Sequence, residues 1–298
     1  MALLQKKEIA MVSIANLNNI DYFIDEYGVA YSQDGGIVYG AVDGIFVAEE
    51  YQIRDGVRLI EANSFHCCDT IKVLYMPDSV IEDNGSYCEG CKNLEKANVS
   101  KNLKHPNIAM FCGCESLREI YLPEGIETIG ENMFCGCMSL ERIKLPSTIK
   151  WFESDTFCSA PLRTIDLPES LEQIGNDTFI CCRNLEKLVI PKKVERIGPW
   201  FVQAHDHFQG VECLSSHFRI EDDALITNYD DSLIACWSRK PHYVIPESVK
   251  HILSLCNDLI EEVEINNPSV DIGYDAFCSC TNLKVVFKQD VTLEHKNK

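Results

Sequence analysis

The sequence has no long apolar run and few basic residues. None of its apolar stretches approaches the roughly 18 residues that cross a membrane. Against 46 Asp and Glu there are 27 Lys and Arg, a net charge of −19, and no basic run is longer than Lys192 with Lys193. A surface of that sign repels nucleic-acid phosphates and anionic lipid headgroups. We therefore expect neither a nucleic acid nor a membrane as a partner.

Recognisable catalytic and targeting motifs are missing as well. There is no G-x-S-x-G elbow, no glycine-rich phosphate loop and no H-E-x-x-H zinc motif. Near the N-terminus the apolar core is only Ile9 to Val12, too short for a signal peptide. We expect a protein that is not an enzyme and binds no cofactor. We place it in the cytoplasm, or at the cell surface or outside the cell if a leader has been removed.

The sequence does contain an internal repeat. Residues 117–137, 140–160 and 162–182 each approximate L-x-x-I-x-L-P-x-x-I-x-x-I-G-x-x-x-F-x-x-C. We call a set of equivalent positions in successive repeats a column. In these repeats the proline position recurs at steps of 22 or 23 residues. A column of large apolar residues lies eleven residues after it, and a column of small residues, mostly cysteine, lies three residues further on. The proline column contains Pro77, Ser100, Pro123, Pro146, Pro168 and Pro191, and later Pro246 and Asn266.

Each copy is predicted to form one coil of a solenoid. L-x-x-I-x-L alternates as a half-buried strand does, and proline ends it because proline has no N–H for the next ladder bond. I-x-x-I is a second short extended piece, and the glycine then turns the chain. The segment x-x-x-F-x-x-C-x-x-L has apolar residues at helical spacing, so we predict a short helix there. Stacked coils share one core, since a single coil cannot close its own.

The motif L-P-x-x-I-x-x-I-G-x-x-x-F-x-x-C-x-x-L resembles the BspA-type leucine-rich repeat of bacterial surface proteins. The resemblance covers roughly residues 45–290 and about nine degenerate repeats. It implies an α/β fold, namely a right-handed, horseshoe-like superhelix whose parallel strands line a concave face. It also implies a β-hairpin that interrupts the stack, because such proteins often contain one.

Two segments break the repeat and divide the chain. About 32 residues are inserted between Pro191 and Pro246, and the N-terminal residues read as antiparallel strands that cover the exposed end of the stack. We predict a β-rich cap packed on the solenoid at residues 1–53 and leucine-rich repeats at 54–204. We predict a β-hairpin insert at 205–245 and further repeats with a polar tail at 246–298.

The 16 cysteines follow the repeat. Thirteen of them lie in the large apolar column or within three residues after it. We interpret them as small apolar residues that fill a dry position in each coil, since Ala160 takes the same place and can neither bind metal nor form a disulfide. Zinc needs four converging ligands, and Cys88-x-x-Cys91 has no matching second pair nearby. Stacking still brings cysteines close together, which leaves oxidation or adventitious metal binding as alternatives. So many thiols favour a reducing compartment.

The histidines offer a weak candidate for a metal site. His205 and His207 flank Asp206 at the start of the insert, and a solvated loop is the simpler interpretation. A metal-dependent enzyme that uses this insert is therefore one alternative function.

The outward positions of the first strands form the candidate binding surface. They hold more basic than acidic residues in a strongly acidic chain, and Tyr and Arg are enriched where partners bind. We predict an interaction module that contacts a protein or a glycan through this concave face or through the hairpin near residues 205–245. A purely structural or self-associating element is another alternative. The predicted contact residues are Tyr75, Lys96, Glu119, Tyr121, Arg142, Lys144, Asp166 and Lys187.

Overall fold

The computed structural model describes residues 17, 20–255, 257–278, 280 and 283–288. Those residues contain 23 short strands and no α-helix. In chain order the strands are β1 (Tyr22–Ile24), β2 (Val29–Ser32), β3 (Ile37–Ala41), β4 (Glu50–Gln52), β5 (Leu59–Ile60), β6 (Val73–Tyr75), β7 (Glu82–Asp83), β8 (Lys96–Asn98), β9 (Glu119–Tyr121), β10 (Thr128–Ile129), β11 (Trp151–Phe152), β12 (Gln173–Ile174), β13 (Leu188–Ile190), β14 (Arg196–Ile197), β15 (Val211–Cys213), β16 (Phe218–Glu221), β17 (Ala224–Thr227), β18 (Ser232–Cys236), β19 (His242–Val244), β20 (His251–Ile252), β21 (Glu262–Ile265), β22 (Asp271–Ile272) and β23 (Lys284–Phe287).

Each coil of the solenoid consists of a first strand, a second strand and a third side made of turns. In one coil β9 is the first strand, β10 is the second, and residues 130–140 bring the chain back. First strands pair in parallel with first strands of neighbouring coils, in the orders β4-β6-β8-β9, β13-β15 and β19-β21-β23. Second strands do the same, as in β10-β11-β12-β14. The predicted stack of parallel strands is therefore present.

The coils stack in register, so that equivalent side chains pack on one another. Phe111, Phe134, Phe157 and Phe179 are fully buried. Their rings lie within 9° of parallel, with successive centroids 5.6 to 5.9 Å apart. A ladder of this kind buries a large apolar area in every coil and ties each coil to the next.

The small column next to these rings is buried too. The Cys114 thiol donates a hydrogen bond to the Cys88 carbonyl at 3.2 Å, and the Cys137 thiol donates one to the Phe111 carbonyl at 3.2 Å. Burial raises the pKa of the Cys137 thiol well above its ordinary value. The interpretation of these cysteines as small packing residues is confirmed for the column. The structure adds a thiol-to-carbonyl bond between coils that alanine cannot make.

The third side of the coil is not the helix that the spacing predicted. Asn132 and Gly136 have φ angles of 55° and 71°, which a right-handed helix does not accept. Backbone N–H groups of this segment donate hydrogen bonds to the next coil, where a helix would bond within itself. Phe134 N–H donates to Thr156 O at 2.9 Å, and Gly136 N–H donates to Cys158 O at 2.8 Å. The expectation of an α/β fold is therefore wrong for the described residues, which form a β-solenoid.

The solenoid has about eleven turns, more than the nine or so repeats counted in the sequence. One additional turn lies inside the predicted insert, where β15 pairs in parallel with β13 and sets Val211 opposite Leu188. Another contains β23, which pairs in parallel with β21. Both were missed because neither is followed by the proline that marks most first strands.

Two antiparallel units join the second-strand row. Strands β1, β2 and β3 are antiparallel, and β3 pairs in parallel with β5. Strands β16, β17 and β18 repeat this arrangement, with β18 parallel to β20. They fall within the predicted cap and insert, although the exact domain boundaries stay a prediction. The N-terminal residues 1–16 and the tail after residue 288 lie outside the described residues.

The insertion leaves the third side of the stack continuous. Ala204 forms a parallel bridge with Asn257, and Trp200 N–H donates to Ser254 Oγ at 3.0 Å. The turn before the insertion thus packs directly on the turn after it, while the intervening residues project to the other sides. Within the described residues, no helix has the length and apolarity to cross a bilayer.

Candidate interaction surfaces

All eight residues predicted to contact a partner lie on one side of the solenoid. We call this side the first-strand face: the outward side chains of β4, β6, β8, β9, β13 and β15 together with the equivalent residues 142–144 and 164–166. Tyr75 is half-buried there, and the others are exposed. The alternation places each of them beside a more buried neighbour, such as Ala97 next to Lys96. The sequence pattern therefore located these side chains correctly.

Some charges of the first-strand face neutralise each other. Lys96 Nζ lies 3.1 Å from Glu119 Oε2, and Lys187 Nζ lies 2.7 Å from Glu212 Oε2. Both pairs join adjacent coils, because a step of one coil places opposite charges side by side. Exposed pairs of this kind contribute little to stability. These ion pairs reduce the positive charge that Lys96 and Lys187 present to a partner.

The middle of the face is different. Arg142 and Lys144 are exposed and form no ion pair with another described residue. Tyr121 occupies the position equivalent to Lys144 in the preceding coil and is 66% exposed. Arginine and tyrosine are enriched at protein interfaces, and this part of the face exposes Arg142 and Tyr121.

An alternating charge row borders the first-strand face. Glu49, Lys72, Glu95 and Arg118 precede successive first strands, and each donates or accepts a backbone hydrogen bond with the next coil. Lys72 Nζ lies 2.9 Å from Glu49 Oε2, and Arg118 pairs with Glu95. The charges of this row pair with one another, so we assign the row to the stacking of coils and not to partner binding.

A groove runs over the second strands, on a side for which the sequence predicted no site. Two cavities, of about 470 and 290 Å³, both have Glu153 in their lining and so adjoin each other. We call their union the second-strand groove; it is lined by His105, Asn107, Thr128, Glu131, Glu153, Gln173, Asn176, Arg196 and Tyr229, among others.

Aromatic rings lie in and beside this groove. His105 Nδ1 is 3.0 Å from Thr128 Oγ1, and the Trp151 ring is tilted over the same region with its centroid 6.3 Å from that of His105. Tyr229, from the second antiparallel unit, is 73% exposed at the other end. His105 and Trp151 occupy outward positions of the I-x-x-I segment, so their place was readable from the repeat, whereas Tyr229 lies in the turn between β17 and β18.

The histidine pair does not form a metal site in the described residues. His205 Nε2 lies 2.9 Å from the Cys182 carbonyl oxygen, and burial lowers the pKa of this imidazole. The rings of His205 and His207 are 6.4 Å apart, beside a cavity of about 360 Å³ that Arg183 also lines. Among the described side chains no three of His, Cys, Asp or Glu converge as metal ligands. The metal-dependent alternative therefore has no support from this geometry.

Comparison with known families identifies the repeat. A family model described as a BspA type leucine rich repeat region matches six copies, over residues 47–162, 105–230 and 236–295. The chain belongs to this family. For a BspA-type repeat protein, a protein-interaction or binding role is indicated. The comparison with curated proteins found no match.

Two solved structures resemble this BspA-type protein. A leucine rich cell surface protein from Faecalibacterium prausnitzii is 20% identical, with a TM-score of 0.61, 89% of this chain and 76% of that one being covered. A leucine-rich repeat protein from Bacteroides ovatus is 20% identical, with a TM-score of 0.52 and coverages of 90% and 69%. At this identity the likeness establishes the fold alone.

Proposed function

We propose that this chain is a non-enzymatic interaction module whose first-strand face binds an acidic surface of a partner protein. The observation that carries the proposal is the exposed pair Arg142 and Lys144. Neither has an ion-pair partner in the described part of the chain, and the exposed Tyr121 occupies the position of Lys144 in the preceding coil. In a protein of net charge −19, a local cationic patch selects an acidic partner and orients it during encounter.

The solenoid supports such a role because it holds the patch rigidly. Tyr121 lies on β9, which pairs in register with β8, and Phe134 and Phe157 anchor the coils underneath. A partner then loses little affinity to ordering of the surface. Tyr and Arg are also the residues that most often dominate binding energy at protein interfaces.

The test is charge reversal on the face with a matched reversal elsewhere. Arg142→Glu with Lys144→Glu should weaken binding to a purified captured partner at least about tenfold, with a smaller salt dependence. The control is Lys92→Glu with Lys101→Glu, which makes the same charge change at exposed lysines off the face. Equal affinity of the two folded double variants would reject the proposal.

A second candidate is glycan binding in the second-strand groove. A sugar ring offers an apolar face and several hydroxyl groups, which suit an aromatic ring beside carboxylate, amide and guanidinium groups. Trp151 and Tyr229 supply the rings, and Glu153, Asn176 and Arg196 supply the polar groups. Titration of an oligosaccharide panel should show binding that Trp151→Ala removes and Tyr121→Ala, on the other face, leaves intact. Panel-wide absence of binding would exclude this candidate.

We also propose that the protein acts at the cell surface or outside the cell. A structurally similar protein is described as a leucine rich cell surface protein, whereas a cytoplasmic location has no support among the relatives. Protease treatment of intact source cells should degrade this chain and spare a cytoplasmic marker. Protection of the chain until the cells are lysed would contradict the proposal.

Self-association is the remaining alternative from the sequence. Size-exclusion chromatography with light scattering on the wild-type chain measures it directly. A monomer over the working concentration range is the result that the partner-binding proposal expects.

A further inference from the structure

We propose that Cys112 and Cys135 form an oxidation site on the third side of the solenoid, where a hydroperoxide converts the two thiols into a disulfide between neighbouring coils. Cys112, Cys135 and Cys158 each follow one of the stacked phenylalanines by one residue, so they recur in three successive coils. We call these three the outer thiol column. It differs from the buried small column described above.

The backbone places the outer thiols side by side. Gly113 N–H donates to Cys135 O at 2.7 Å, and Gly136 N–H donates to Cys158 O at 2.8 Å. Adjacent strands in such a ladder lie about 4.8 Å apart. A disulfide accepts Cα–Cα separations of about 4.4–6.8 Å, so the outer column meets this requirement without moving the backbone.

The two cysteine columns differ in access. The outer thiols are partly exposed to solvent, whereas Cys114 and Cys137 are fully buried. The buried thiols also donate hydrogen bonds to carbonyls of the preceding coil. An oxidant in water therefore reaches the outer column, although both columns repeat at the same spacing.

The thiols of the outer column differ in acidity. The neighbouring Cys135 thiol holds the pKa of Cys112 below its ordinary value. The proximity of Cys112 in turn raises the pKa of Cys135 to about 11. The neighbouring Cys135 likewise raises the pKa of Cys158. Because the thiolate is the nucleophile, Cys112 reacts first.

The chemistry needs two thiols and one hydroperoxide. The Cys112 thiolate attacks a peroxide oxygen, so that an S–O bond forms, the O–O bond breaks, and the leaving alkoxide or hydroxide takes up a proton. The Cys135 sulfur then attacks the Cys112 sulfur, an S–S bond forms, and the S–O bond breaks with release of water. Two thiols are oxidised and the hydroperoxide is reduced to an alcohol or water. A thiol reductant reverses the link.

The experiment treats the folded, reduced full chain with hydrogen peroxide, alkylates the remaining thiols, and maps disulfides by mass spectrometry of a non-reduced digest. We expect a link between Cys112 and Cys135, the loss of two thiols per chain, and recovery with dithiothreitol. The outer thiol column and the buried small column, whose members we call the inner cysteines, lie close together in sequence. Fragmentation within the peptides is therefore needed to tell which cysteine carries the link.

Three variants make the result decisive. Cys112→Ser should lose the fast phase of thiol oxidation, whereas Cys158→Ser, in the same column, should keep both the phase and the link. Cys114→Ala with Cys137→Ala removes the inner pair and should also keep the link. A link between inner cysteines, an unchanged fast phase in Cys112→Ser, or sulfinic acid at Cys112 without a link would each overturn the proposal.

Discussion

The hydroxyl of Tyr51 donates a hydrogen bond to Asp25 Oδ2 over 2.6 Å. Tyr51 lies on β4, the first strand of its coil, and Asp25 directly follows β1 of the N-terminal antiparallel unit. The Tyr31 hydroxyl is in contact with the Tyr51 hydroxyl as well. Burial raises the pKa of Tyr51 far above its ordinary value, so this phenol stays a hydrogen-bond donor. The contact fastens the antiparallel unit to the stack.

Loss of that contact should destabilise the protein. We expect Tyr51→Phe to lower the free energy of unfolding by about 1–3 kcal/mol, because Asp25 loses a donor in a partly buried place. Urea denaturation followed by circular dichroism measures the change. Tyr121→Phe, at an exposed tyrosine of the first-strand face, is the control and should leave the unfolding midpoint unchanged. If both variants unfold alike, the contact does not fasten the unit.

The phenylalanine ladder should dominate the stability of the central coils. Phe134 stacks on both Phe111 and Phe157 and is fully buried. We expect Phe134→Ala to cost about 3–5 kcal/mol, as for other buried aromatic residues. Cys137→Ala in the same coil should cost only about 1 kcal/mol. Unfolding of Cys137→Ala with release of a metal would instead show that the inner cysteines are ligands.

Gly175 should resist substitution for a reason of packing. A Cβ atom there would lie 2.5 Å from the Glu153 carbonyl carbon in the neighbouring coil. We expect Gly175→Ala to cost about 3 kcal/mol, because the backbones of adjacent coils must separate. Gly44→Ala is the comparison, since Gly44 has a φ of 71° but open space around it. Its cost should be about 1 kcal/mol, from backbone conformation alone. Equal thermal shifts for the two variants would refute the close contact.

Asp177 should make stability depend on pH. Burial, and secondarily the nearby Asp155 carboxylate, raises its pKa to about 6. The folded protein therefore holds this proton more tightly than the unfolded chain, whose aspartate pKa is about 3.9. The stability contributed by this group is largest at low pH, falls between about pH 4 and pH 6, and is constant above.

Asp177→Asn should remove that fall and stabilise the protein at neutral pH. Asparagine suits the site because Asn132 occupies the equivalent position with a φ of 55°, against 52° for Asp177. Denaturation midpoints between pH 4 and pH 7 measure the effect. Asp34→Asn should instead lower stability at neutral pH, because the Ser32 hydroxyl lowers the pKa of Asp34 and so stabilises its charged form in the folded protein. An unaltered pH slope in Asp177→Asn would show that another group is responsible.

Much of the fold and half of the candidate surface could be predicted. The columns at steps of 22 or 23 residues placed Phe134 beneath Phe157 and set Lys96, Arg142 and Lys187 on one side, because side chains alternate along a strand. The second-strand groove was missed. Its lining comes from residues far apart in sequence, since His105 lines one of the two cavities, Tyr229 lines the other, and Glu153 lines both.

By itself the sequence determined that the chain is a stack of coils, since no single repeat has enough apolar surface to close a core. It also determined which residues form the buried Phe and Cys columns and which face outward on the first strands. Only the tertiary structure decided the form of the third side. Helical spacing and a turn of inter-coil hydrogen bonds give the same apolar pattern there, and the left-handed φ at positions such as Asn132 and Gly136 selects the turn. The structure likewise separated the outer from the inner cysteines, because burial depends on which side of the coil each residue faces.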